Sequence, residues 1–162
     1  MSENLALLSV SLPLSIANKI IDTALTSGRQ HDLLPLCVVV LDAGSHLVAY
    51  QREDGCGNLR FEIARGKASA ALGMGMSSRL IRDRLAKRPA FQAAIAEASN
   101  GRFIPVPGGV IVLDANGCAI GAVGISGDTS DKDEFCAIAG IHAAGLSSEP
   151  AQPSPTWNQS NL

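Results

Sequence analysis

The chain has 162 residues, 46% of them apolar and only 17% charged, with a net charge of −2. That length fits one domain with a substantial core; the absence of a basic cluster removes a nucleic-acid footprint, and no apolar run approaches the roughly 20 residues of a membrane span. So lean a charge content also points to apolar surface covered by self-association.

Residues 1–10 read as a leader without the cationic start of a secretion signal. The four cysteines show no CxxC or Cys/His spacing, and Cys37 and Cys136 fall in apolar patterns suited to a core. A cytoplasmic, reducing compartment is therefore expected. The domain proper is read over 11–146. Ser11 is positioned to cap a helix with Pro13 in its first turn, and Leu14, Ala17, Ile20, Ile21, Ala24 and Leu25 form its apolar stripe up to Gly28.

The β-branched run Leu36–Leu41, a turn at Asp42-Ala-Gly-Ser45 and the return His46–Gln51 predict a hairpin. A polar loop at Arg52–Asn58 leads to a helix over about Leu59–Gly73, whose alanines permit close packing on a sheet. Ser78–Lys87 and Ala90–Ala98 read as two further helical pieces separated by Pro89. A second hairpin runs Gly109–Leu113, Asp114-Ala-Asn-Gly117 and Ala119–Ile125, with Asn-Gly as its turn signal. Asp131 and Glu134 have the spacing of a capping box for a last helix ending near Gly145. Residues 147–162, with Pro150, Pro153 and Pro155 among Ser, Asn and Gln, read as a flexible tail. Hairpins interleaved with helices give an α+β class.

The glycines of Pro107-Gly108-Gly109 and Gly121–Gly127 predict backbone N–H groups left open near a helix N-terminus, a setting for an anionic group. Arg52 and Lys67 lie beside these segments as candidate carboxylate clamps, although Lys67 equally suits pairing with Asp42, Glu53 or Asp54. Asp133 is a candidate base, with helix capping as its plainer role. His31, His46 and His142, spaced by 15 and 96 residues, match no metal motif; His142 is kept as an acid–base candidate. Ser126 lacks a Gly-x-Ser-x-Gly elbow, and the glycines meet neither Walker nor dinucleotide spacing.

Taken together, Val38-Val-Val-Leu-Asp42 with Gly44, Arg52 with Asp54-Gly55, Ala64 with Lys67-Ala68, Pro107-Gly-Gly109, Gly117, Gly121–Gly127 and Asp133-Glu134 leading to Ala139-Gly140 resemble the GlcG/HbpS family, which includes the C-terminal domain of PduO-type proteins. The resemblance spans about residues 11–145. It implies a five-stranded antiparallel sheet flanked by helices, profilin-like, in a homo-oligomer that is a dimer or a larger ring or octamer. It also implies a pocket for a small-molecule ligand, with haem or a related tetrapyrrole as the cofactor-like guest in some relatives.

The chain departs from haem-ligating relatives in having no histidine over Leu12–Ser27, in reading Gly108-Gly-Val-Ile111 where Gly-Gly-x-Pro is usual, and in lacking a Glu-x-x-Glu iron site. The ligand set this suggests is Arg52, Asp54, Lys67, Pro107, Gly108, Gly109, Ser126 and Gly127, and no metal site is expected. Three readings follow. One is a binder of a tetrapyrrole or a carboxylated metabolite. Another is a cofactor-independent enzyme (tautomerase, decarboxylase, deaminase or hydrolase) acting on an oxo or unsaturated organic acid with Lys67, Asp133 or His142 as catalytic groups. The third is an assembly module without a small ligand.

Overall fold

The computed structural model describes residues 6–161. In chain order the elements are α1 (Leu14–Gln30), β1 (Cys37–Asp42), β2 (Leu47–Arg52), α2 (Arg60–Met74), α3 (Ser78–Leu85), α4 (Pro89–Ala98), β3 (Gly109–Leu113), β4 (Ala119–Ser126), α5 (Ser130–Ala143), β5 (Ser147–Glu149) and a 3₁₀ turn at Trp157–Gln159. All strand pairs are antiparallel, in the order β2-β1-β4-β3-β5. The α+β class and the five-stranded sheet expected from the sequence are both present.

The run Cys37–Leu41 of β1 is apolar throughout because both faces of this central strand are covered. Val38 and Val40 point into a core with Ile20, Ile21, Ile138 and Ile141 from α1 and α5. Cys37, Val39 and Leu41 point the other way, onto Ala64 and Ala68 of α2. The two hairpin turns share one device: Asp42 Oδ1 accepts from the backbone of Gly44 and His46, and Asp114 Oδ1 from that of Asn116 and Cys118.

Three local expectations are corrected. Ser11 does not cap α1: Pro13 is the N-cap, and the Ser11 hydroxyl accepts from Ala43 N–H at 3.1 Å, tying the segment before the helix to the first hairpin turn. The last helix starts at Ser130 after Thr129, two residues earlier than an Asp131 cap requires, so no Asp131–Glu134 box forms. The sheet takes its fifth strand from Ser147–Glu149, inside the stretch read as a tail.

The rest of that stretch folds back as a strap over α5. Arg79 donates to Gln152 O at 2.9 Å, Thr129 and Ser160 join hydroxyls, and Trp157 stacks on Phe135 with ring centroids 3.7 Å apart and planes within 3°. Among the described residues, no helix is long and apolar enough to cross a membrane.

Candidate functional site

The carboxyl end of β4, the start of α5 and the middle of α2 meet at a buried ion pair. Lys67, only 2% exposed, donates from Nζ to Asp133 Oδ2 at 2.8 Å and to Ile125 O at 2.9 Å. Asp133 Oδ1 accepts from Asp128 N–H at 3.1 Å. A lysine on an alanine-lined helix face therefore buries its charge because a carboxylate waits for it across the sheet. Burial pushes the Asp133 carboxyl up to about 6, against the pull of Lys67. Of the partners weighed for Lys67, none is the right one. Glu53 instead pairs with Arg29 at 2.9 Å and accepts from Leu36 N–H, while Asp42 is occupied by its own turn.

The glycines serve this junction by sterics. A Cβ on Gly109 would sit 2.2 Å from Lys67 O, and one on Gly124 would sit 1.9 Å from Ala64 O, so the backbone of α2 lies directly on β3 and β4. Gly108, at φ +113°, leaves room where a Cβ would approach Lys67 Nζ to 2.9 Å. Part of the backbone of this segment bonds internally and is closed to a guest. Gly109 N–H donates to Ser78 Oγ at 2.8 Å, and Gly108 O accepts from Ile125 N–H at 2.9 Å. At the head of α5 the N–H groups of Asp128 and Thr129 donate to the carboxylates of Asp133 and Asp128.

The structure gathers part of the predicted set. Lys67, Asp133, Pro107, Gly108, Gly109, Ser126 and Gly127 are all buried and contiguous with the junction. Arg52 and Asp54 lie outside it, exposed at the end of β2 and in the following loop, where Asp54 borders an open cleft of about 410 Å³ with Arg29, Pro35 and Glu53. His142 is not part of the site. It is exposed in the last turn of α5, about 13 Å along the helix from Asp133, and bonds Ser148 Oγ at 2.9 Å.

Two residues of this region escaped sequence reasoning. Arg60, at the first turn of α2, donates to Ser126 Oγ at 3.2 Å. Cys56, in the loop before it, is half-buried, and the positive charges of Arg60 and Arg52 both act on its thiol, although burial outweighs them and raises its pKa. An unpaired arginine at a helix N-terminus, where the dipole disfavours cations, was the signal available. Neither Arg52 nor Arg60 has a carboxylate partner among the described residues. No cluster of three or more His, Cys, Asp or Glu suited to a metal occurs among them either.

Residues 12–142 match the family described as "Haem degrading protein HbpS-like". Among solved structures, a PduOC:heme complex is 22% identical with a TM-score of 0.77, covering 86% of this chain and 99% of that one. HbpS is 23% identical with a TM-score of 0.70, covering 88% and 95%. The Klebsiella pneumoniae protein ORFY is 20% identical with a TM-score of 0.73, covering 90% and 98%. At these identities the likeness concerns the fold. No protein of curated function matches the chain.

Proposed function

Because the chain belongs to the HbpS-like family of haem-degrading proteins, we propose that it binds a carboxylated ligand of the tetrapyrrole type, or a smaller carboxylated metabolite, at the loop between β2 and α2. The observation that carries this reading is the pair of carboxylate-free arginines, Arg52 and Arg60, whose charges both act on Cys56 in the loop between them. Two guanidinium groups without internal counterions suit two carboxylates of one guest. Lys67 stays committed to Asp133 and acts as the anchor that keeps α2, and with it Arg60, in register with β4.

Histidine ligation of a haem iron does not fit these residues. α1 contains no histidine. His31 donates from Nδ1 to Ser27 O and packs edge-on against Phe135 and Trp157, His46 is exposed on the first hairpin turn, and His142 bonds Ser148. None lines the cleft by Asp54. Recognition would rest on the carboxylates and on apolar contact, so metal-free protoporphyrin should bind as well as haem.

The test is absorbance titration of the full chain with haem and with metal-free protoporphyrin, and calorimetry with succinate as the small acid. Arg52→Gln and Arg60→Gln should each weaken binding by about tenfold, as loss of a charge-assisted hydrogen bond does. Absence of binding by all three probes, or affinities that both variants leave unchanged, refutes the proposal.

The enzymatic reading is favoured by one observation, the buried Lys67–Asp133 pair with its raised carboxyl. In that reading Asp133 moves the proton and Lys67 steadies its charge, without His142. Turnover of an oxo acid lost in Asp133→Asn, with the fold intact, is its test. The homo-oligomer belongs to the same proposal: Leu47 and Tyr50 on the edge strand β2 and Leu59 before α2 are exposed apolar side chains that a second copy would cover.

A further inference from the structure

The second half of α2 carries a feature that neither the ion pair nor the family likeness uses. Gly73 lies one residue before the end of this helix, where glycine lowers helix stability relative to alanine. At Gly109 and Gly124 an abutting backbone forces the choice, but a Cβ on Gly73 would meet nothing within 4 Å. The space it leaves open is the common wall of two adjoining hollows of about 350 and 260 Å³, which together fall in the size range of small-molecule sites.

The hollows differ in chemistry. One is polar: Ser45 on the first hairpin turn donates to Ser69 Oγ at 3.2 Å, and Ser99 closes the far side. The other is walled by Met74, Ile95 and Phe103. Arg102 borders both. Its Nε donates to Ser99 O at 3.2 Å, and no carboxylate among the described residues pairs with it. A guanidinium offers five donors in a planar fork, so the remaining ones are free for a carboxylate.

We propose that this cleft, between the first hairpin turn, the end of α2 and the end of α4, binds a small monocarboxylic acid with an apolar body. Arg102 and the serines hold the carboxylate, and the body lies past Gly73 against Ile95 and Phe103. The site is separate from the loop at Arg52 and Arg60 and does not rest on the reading given for it.

Calorimetric titration of the full chain with benzoate and with hexanoate, and with benzamide as the uncharged control, tests the site. At least one of the acids binds saturably and benzamide does not compete. Arg102→Gln, an exposed position that the fold tolerates, weakens the acid by about tenfold. Gly73→Leu fills the cleft and abolishes binding while the thermal midpoint holds or rises, since leucine favours the helix. Failure of both acids to bind at up to about 10 mM, an affinity that Arg102→Gln leaves unchanged, or binding that persists in Gly73→Leu, overturns the proposal.

Discussion

Replacing Gly124 by alanine separates two roles for the glycine-rich strand, backbone packing and ligand contact. The new Cβ would lie 1.9 Å from Ala64 O, 2.8 Å from its carbonyl carbon and 3.0 Å from Ala68 Cβ. Real contacts stop near 3.0 Å, so α2 must retreat from β4 by about 1 Å. It cannot retreat freely. Lys67 of the same helix sits over Gly109 and holds Asp133 and Ile125 O at 2.8 and 2.9 Å, distances that a shift of that size breaks.

Overpacking alone costs roughly 1–3 kcal/mol, and a weakened buried ion pair adds to it. A total of about 3 kcal/mol or more follows, which lowers the melting midpoint of a chain this long by roughly 10 °C. Urea and thermal unfolding followed by far-ultraviolet circular dichroism measure both quantities. A Gly124→Ala protein within about 1 kcal/mol of the parent would refute the packing account. If that protein also lost its ligand, the glycine would be a cradle and not a spacer.

Two further outcomes follow from the buried charges. Lys67→Met or Asp133→Leu alone should cost roughly 3–5 kcal/mol, while the double replacement Lys67→Met with Asp133→Leu should recover much of it; urea midpoints that show simple additivity would contradict this. Glu134 is fully buried, its oxygens lack hydrogen-bond donors, and its charged neighbours are Arg79 at 3.4 Å with Arg82, Asp131 and Glu149 around them. Burial lifts its carboxyl from an ordinary 4.5 to about 7, so the folded state holds a proton that the unfolded chain has released between those values. Stability therefore falls as pH rises from about 4.5 to 7, by about 3 kcal/mol. Asp133 adds a slope of the same sign below about 6. In Glu134→Gln the decline between pH 6 and 7 should vanish, and its persistence would assign it elsewhere.

Patterns of short range were legible in the residues. The β-branched run at Leu36–Leu41 and the Asn116-Gly117 turn located both hairpins because strand propensity and turn chemistry act within a few positions. Contacts made across the fold were not. Lys67 is 66 residues from Asp133, and nothing local chose that acid over Glu53 or Asp54. β5 is three residues long and made of Ser-Ser-Glu, with no apolar alternation to announce it; its place comes from the open edge of β3. The glycines were conspicuous, but a sequence does not say whether the atom facing a missing Cβ belongs to a ligand or to a neighbouring helix. At Gly109 and Gly124 it is a carbonyl of α2.

Trp157 is the single tryptophan of the chain, and it sits on the strap over α5. The intrinsic fluorescence of the protein is therefore a reporter of that one segment. Apart from the indole, the strap is fastened by a few polar contacts, among them those of Gln152 and Ser160, so it belongs to the low-stability end of the fold. An emission change on heating would mark the strap lifting off Phe135, and it would precede the loss of helix signal. Equilibrium unfolding followed by tryptophan emission and by circular dichroism would then give separate midpoints, and a two-state treatment of the fluorescence curve alone would understate the stability of the sheet.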